Sequence, residues 1–286
     1  MESITYTNQF GESVTFGGPP FYLQKINGLG DVTANIQTQR APYQDGSTFI
    51  DVLIDEREIP IEFLIVNAFD EGRYGTVSER RASIARVLNP KFGPGILRYE
   101  NEHLVREILV IADSVPVYPD DVRTKSLQKG LVNFVAPSPF WEDINSENYK
   151  LEDFVGNFRF KFRFPVRFAT RGDSRILINK GDVPTPIVVE FRGAAVNPKI
   201  TNVSTGEFIR VNRTIPPGYK LVLETTFGNK RVEIIAPDGV VENGFPWIDP
   251  ESSFFNLDVG ETKFSFITEG GNPEVYVEYK HRYLSV

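Results

Sequence analysis

Ile59-Pro60-Ile61-Glu62-Phe63-Leu64-Ile65 repeats an apolar residue with period two at Ile59, Ile61, Phe63 and Ile65. Side chains on a strand alternate between its two faces, so this spacing predicts a strand with one face turned to a core. The same period is clearest at Phe158, Phe160, Phe162, Phe164, Val166 and Phe168, interleaved with Arg159, Lys161, Arg163, Pro165 and Arg167. The phenylalanines there are expected to be buried. Residues 33–39 alternate more weakly. Residues 219–225 and 231–236 flank Phe227-Gly228-Asn229 and read as a hairpin. Residues 264–267 and 275–284 read as closing strands on either side of the turn Gly270-Gly271-Asn272-Pro273. Composition agrees: 286 residues hold 23 Phe and 11 Tyr but one Met and two Trp, and aromatic side chains suit a pleated surface.

One helix stands out. Thr76 precedes Glu79 by three residues, the spacing of a capping box, and Val77, Ile84 and Leu88 then share a face. Asn89-Pro90 stops it, because proline disfavours helical geometry in the residue before it. The fold class predicted is therefore all-β with one short helix.

The length allows two domains, each with its own core. The boundary is placed at the two prolines of Ala136-Pro137-Ser138-Pro139-Phe140-Trp141 and the polar stretch reaching Tyr149, giving domains 1–140 and 141–286. Residues 1–140 carry 18 acids and 13 bases, residues 141–286 carry 20 and 18, so the net charge of −7 is concentrated in the first domain. That balance does not suggest a nucleic-acid binder. There is no cysteine, hence no disulfide and no thiolate site. The first residues do not read as a signal peptide, and no apolar run approaches the roughly 18–20 residues of a membrane span. The sequons at Asn202 and Asn212 read as chance.

Signs of chemistry are sparse. Gly172-Asp173-Ser174 resembles a hydrolase nucleophile motif, with Glu278 and His281 as candidate partners. Such a serine needs a turn that leads into a helix, whereas Ile176-Leu177-Ile178 reads as a strand. Gly28-Leu29-Gly30 lacks the third glycine of a dinucleotide loop and is read as a tight turn. Only His103 and His281 exist, too few for a zinc site of several imidazoles. No catalytic, cofactor or metal residue is assigned. The acids Asp51, Asp55, Glu56 and Glu58 lack the glycine-bearing spacing of a calcium loop and are read as a solvated or interface-facing strand. The bases Arg159, Lys161, Arg163, Arg167, Arg171 and Arg175 form a ladder, either solvated or facing acids on another chain. Trp247, Trp141 and Tyr219 are the candidate sugar-stacking residues by type, with core packing as the alternative.

The order of segments carries a resemblance. Residues 21–26 run into Gly28-Leu29-Gly30-Asp31-Val32, followed by Arg40-Ala41-Pro42-Tyr43-Gln44-Asp45-Gly46 and the acid-bearing strands. Then come Leu88-Asn89-Pro90, Gly93-Pro94-Gly95-Ile96-Leu97, Phe134-Val135-Ala136-Pro137-Ser138-Pro139-Phe140-Trp141 and, later, Asn197-Pro198-Lys199 and Pro217-Gly218-Tyr219. Nearly the whole chain resembles the distal tail proteins of long-tailed bacteriophages of Gram-positive hosts, the siphovirus tail components. The resemblance implies a first β-sandwich or split-barrel domain that forms a hexameric ring continuing the tail tube. It implies an outer jelly-roll domain similar to galectins and carbohydrate-binding modules. The protein would be part of the virion, assembled in the host cytoplasm, with tail-tube, tape-measure and tail-tip or receptor-binding proteins as partners. DNA would only pass through the ring, whose lumen or interfaces would take Asp51, Asp55, Glu56 and Glu58. The alternative function is a host-surface glycan-binding module, for which Trp247 and Tyr219 are the candidates. No catalytic residue follows from the resemblance.

Overall fold

The computed structural model describes residues 2–70, 73–120, 122–151 and 174–286. The alternating run 158–168 and the ladder residues Arg159 to Arg171 lie outside them. The chain divides into two compact units: Met1–Ile144 together with Tyr283–Val286, and Asn145–Arg282. Residues 141–144 and 283–286, which the sequence analysis placed in the second domain, pack with the first.

In the first unit the strands run antiparallel in the order Ser13–Phe16, Ser3–Thr7, Gly95–Glu100, Val105–Ala112, Leu127–Ala136, Arg57–Val66, Phe21–Ile26. Val105–Ala112 is the corner. Its residues 105–110 pair with Gly95–Glu100, while Ile111 and Ala112 pair with Val135 and Phe134. The strands at the two ends of this order are neighbours in sequence, and the Gly17 N–H bonds the Phe21 carbonyl at 3.0 Å. The sheet therefore curls back on itself around one core. The alternation at Ile59, Ile61, Phe63 and Ile65 points inward as expected, and all four are buried against Ile4, Tyr6, Phe16 and Phe134.

The helix spans Val77–Val87. Its capping box is complete: the Thr76 hydroxyl accepts from the Glu79 N–H, and Glu79 Oε2 accepts from the Thr76 N–H at 2.9 Å. Val77, Ile84, Val87 and Leu88 are the side chains it adds to the core.

The second unit is a two-sheet sandwich. One sheet orders Glu147–Lys150, Glu274–Tyr279, Val188–Arg192, Lys220–Glu224, Arg231–Ile235, Val241–Asn243; the other orders Ser174–Asn179, Gly260–Ile267, Lys199–Asn202, Phe208–Arg210. Phe191 from the first and Phe266 from the second meet edge to face at 6.1 Å in a shared core. The hairpin around Phe227-Gly228-Asn229 forms as read, Lys220 pairing with Ile235 and Glu224 with Arg231. Both closing strands form, the second ending at Tyr279 rather than running on to residue 284. Gly260–Ile267 and Glu274–Tyr279 enter opposite sheets, because Gly270–Gly271 pairs with Ala195–Val196 and carries the chain around the corner. Gly271 has φ +86, and a Cβ there would lie 2.1 Å from the Ala194 carbonyl oxygen, so glycine is required at this crossing.

Tyr279 gives this unit a pH limit. It is buried, and its hydroxyl donates to the Ile178 carbonyl at 3.0 Å. Burial, with the neighbouring Tyr149 and Glu147, pushes its pKa up to about 12 from 10.0. The unfolded chain ionises first, so the stability from a neutral Tyr279 is complete below pH 10 and is lost as pH rises towards 12. Thermal melts are expected to fall steeply across that window and less steeply in Tyr279→Phe. An identical slope in the two proteins would contradict this.

Candidate assembly surface

Ala34–Gln39 and Thr48–Ile54 form a two-stranded arm, separate in its pairing from the curled sheet. Ala34 pairs with Ile54, Asn35 with Leu53, Ile36 with Val52 and Gln37 with Asp51; then a bulge intervenes, and Thr38 pairs with Phe49. The extra residue is Ile50. A bulge advances one strand by a residue and exchanges its faces. Phe49, out of phase with Val52 in sequence, is thereby brought to the same face as Val52, Ile54 and Ile36. One face of the arm is apolar. The other carries Asn35, Gln37, Gln39, Thr48 and Asp51, with Leu53.

That apolar face has no core to join. Ile36 is 63% exposed, Phe49 62% and Val52 41%, with Ile50 and Leu53 also exposed. Hydrophobic residues gathered on one exposed face mark an interaction surface, and a lone two-stranded ribbon is marginal without a partner.

The base of the arm is held by Arg57, which is 1% exposed. Its Nε donates to the Pro139 carbonyl at 2.7 Å, Nη1 to the Gly28 carbonyl at 2.7 Å and Nη2 to the Leu284 carbonyl at 2.6 Å. Burial lowers the pKa of the guanidinium, and the nearby Asp31 charge opposes that. Gly28 turns at φ +79, and a Cβ there would lie 2.2 Å from the Glu58 carbonyl oxygen. The read of Gly28-Leu29-Gly30 as a tight turn therefore holds, and its carbonyl has a structural task. At the chain end Arg106 also donates to the Ser285 carbonyl and stacks 3.4 Å over the Tyr283 ring, while the Val286 N–H bonds the Leu29 carbonyl at 3.1 Å.

The four acids do not converge on a point. Asp51 lies on the polar face of the arm, Asp55 and Glu56 in the turn that follows, and Glu58 on the outer side of Arg57–Val66; all four are exposed. Among the described residues no three His, Asp or Glu side chains gather as a metal site would need. Ser174 opens a strand, not a helix. His281 is buried, and its Nδ1 accepts from the Lys180 N–H at 3.2 Å.

The aromatic candidates separate. Trp141 is fully buried, 6.4 Å from Tyr99, and belongs to the core of the first unit. Tyr219 is half-buried against the core of the second unit. Trp247 is 42% exposed, and the Arg213 guanidinium sits 4.8 Å over its ring. Asn202 is buried with its Oδ1 accepting from the Ser204 N–H at 3.0 Å, so it does not present a glycosylation site.

The arm, its bulge and Arg57 were not singled out from sequence. Residues 33–39 showed only weak alternation, residues 48–54 break period two at the bulge, and Arg57 sits in a run otherwise made of acids.

Known proteins share this architecture. A family model for the phage tail protein RIFT-related domain matches residues 11–136, and one for the siphovirus-type tail component, C-terminal domain, matches residues 180–283. No curated protein sequence matches. The crystal structure of the Dit protein of phage SPP1, a hub of the adsorption apparatus in phages infecting Gram-positive hosts, is similar at 12% identity. It covers 99% of this chain and 99% of that one with a TM-score of 0.67. A chain of the phage P2 baseplate in its activated conformation is similar at 11% identity, covering 98% and 97%, with a TM-score of 0.54. With consecutive family models on the two units and one fold matched from end to end, the chain belongs to the siphovirus tail components, the distal tail protein family of long-tailed phages.

Proposed function

We propose that this protein is a structural hub of the phage tail, without enzymatic activity, in which six copies of the first unit close a ring that continues the tail tube. The observation that carries this reading is the arm. Its apolar face is exposed in a single copy, and a strand pair reaching from one copy to a different surface of the next makes a head-to-tail contact, the kind that closes into rings. The opposite, polar face with Asp51 then lines the lumen or its rim, joined by Asp55, Glu56 and Glu58. An acidic lumen does not grip phosphate, so DNA passes without being held. The second unit faces outward, and tail-tip or receptor-binding proteins attach around the ring, with the tail tube and tape measure on its axis. The Dit protein of phage SPP1 is itself a hub, which favours the same role here. The protein would be assembled in the host cytoplasm and carried in the virion.

Sedimentation of the full chain, alone and mixed with its tail-tube protein, tests this. Mass action predicts a concentration-dependent shift from one copy to six, completed at lower concentration when the partner is present. A monomer in every mixture would leave glycan binding by the second unit, through the exposed Trp247, as the better reading.

A further inference from the structure

We propose that Tyr43, at the tip of the arm, is a knob that seats in a groove on the first unit of the neighbouring copy. This rests on the ring reading and specifies its contact.

The tip is a built loop. Arg40 Nε donates to the Gln44 carbonyl at 2.9 Å, Gln44 Oε1 accepts from the Ala41 N–H at 3.0 Å, and Gln44 Nε2 donates to the Thr48 hydroxyl at 3.1 Å. These bonds hold Tyr43 at φ +64, a left-handed conformation that a bulky residue rarely adopts. Tyr43 is 108% exposed, so its ring packs against nothing in its own copy. An aromatic presented on an ordered loop loses little freedom on binding, which is how interface anchors are made.

The groove lies over the outer side of Arg57–Val66 and Leu127–Ala136. Pro60, Val117 and Leu131 give it apolar walls, and Lys25, Asp113 and Asn133 stand among the lining residues. Its volume is about 230 Å³. Small-molecule sites run from roughly 300 to 1,000 Å³, so this one suits a single side chain better than a cofactor. Val117 is 59% exposed. Asn133 Nδ2 donates to Asp113 Oδ2 at 3.1 Å, while Asn133 Oδ1 is buried and accepts nothing. Both surfaces carry charges of each sign: Arg40 and Asp45 flank Tyr43 at the tip, and Lys25, Glu62 and Asp113 line the groove.

The chain has no cysteine, so thiols can be placed cleanly. Tyr43→Cys and Val117→Cys are made in separate full-length chains, mixed under conditions that form rings, and treated with a short bis-maleimide. The expected product is a dimer linked between chains, formed only when both variants are present. It should be absent when Phe227→Cys, on an exposed turn of the second unit, replaces Val117→Cys. Tyr43→Ala, with an unchanged melt, should weaken ring association about 30-fold, as loss of an interface hot spot does. Tyr43→Phe should lose only the part due to the hydroxyl. Rings that form without the cross-link, and with undiminished association in Tyr43→Ala, would overturn the seat and leave the ring standing. If wild type forms no ring under any condition, the ring reading fails and the seat with it.

Discussion

Replacing Arg57 with methionine is expected to cost the first unit about 3–4 kcal/mol, the largest loss from any single polar side chain described in it. Methionine keeps much of the volume and removes all the donors. The Pro139, Gly28 and Leu284 carbonyls then lose their partner together. Bonds from a charged donor each contribute roughly 1.5–3 kcal/mol, and water entering the gap recovers part of the sum. Lysine is not a substitute. It has one nitrogen to aim at three carbonyls from three separate segments, so Arg57→Lys should recover less than half of the loss. The same side chain joins the turn before the arm, the segment leading out of the curled sheet and the last residues of the chain. Deleting residues 283–286 should therefore destabilise the first unit too, by less than Arg57→Met does. Chemical denaturation in a Trp247→Phe background, where the fluorescence comes from Trp141 alone, measures both. A midpoint within 0.2 M of wild type for Arg57→Met, on the roughly 1–3 kcal/mol per molar slopes of urea unfolding, would show that the three bonds contribute little.

The second large effect falls on assembly and spares the fold. Phe49→Asp puts a charge in the middle of the apolar face of the arm. In one copy that residue is 62% exposed, so the melt should stay within about 0.5 kcal/mol of wild type. In a ring the same charge is buried without a partner. Association should weaken at least about 100-fold, roughly 3 kcal/mol. Gln37→Glu is the control. It adds a charge of the same sign on the opposite face, beside Asp51, and should leave association within a few-fold of wild type. If the two variants behave alike, the arm does not use one face for its neighbour.

These two sites show where the sequence was readable and where it was not. Strands whose inward face is filled by consecutive even steps, such as Ile59 to Ile65, announce themselves because burial needs that spacing. The helix was readable for a similar reason: Thr76 and Glu79 satisfy each other within a few residues, so the signal is local. The arm was hidden because a bulge at Ile50 resets the phase, so that Phe49 and Val52 share a face although three residues apart. Arg57 was hidden because its meaning comes from carbonyls up to 227 residues away. The crossing at Gly270–Gly271 looked like a plain turn, since nothing local distinguishes a hairpin from a change of sheet. The acids Asp51, Asp55, Glu56 and Glu58 were visible as a cluster in sequence, but they fall on different elements: the arm, the turn after it and the strand Arg57–Val66. Trp141 and Trp247 are the same residue type with opposite environments, one sealed in a core and one beside Arg213 at the surface.

Electron microscopy of the full chain, at the concentration where sedimentation shows its largest species, tests the hub most directly. Closed rings with six-fold symmetry are expected, with an open centre, the first unit on the inside and the second at the periphery. The arm of each copy should lie against the next one. Particles of a single copy only, or open filaments of indefinite length at every concentration and with the tail-tube protein present, would contradict it.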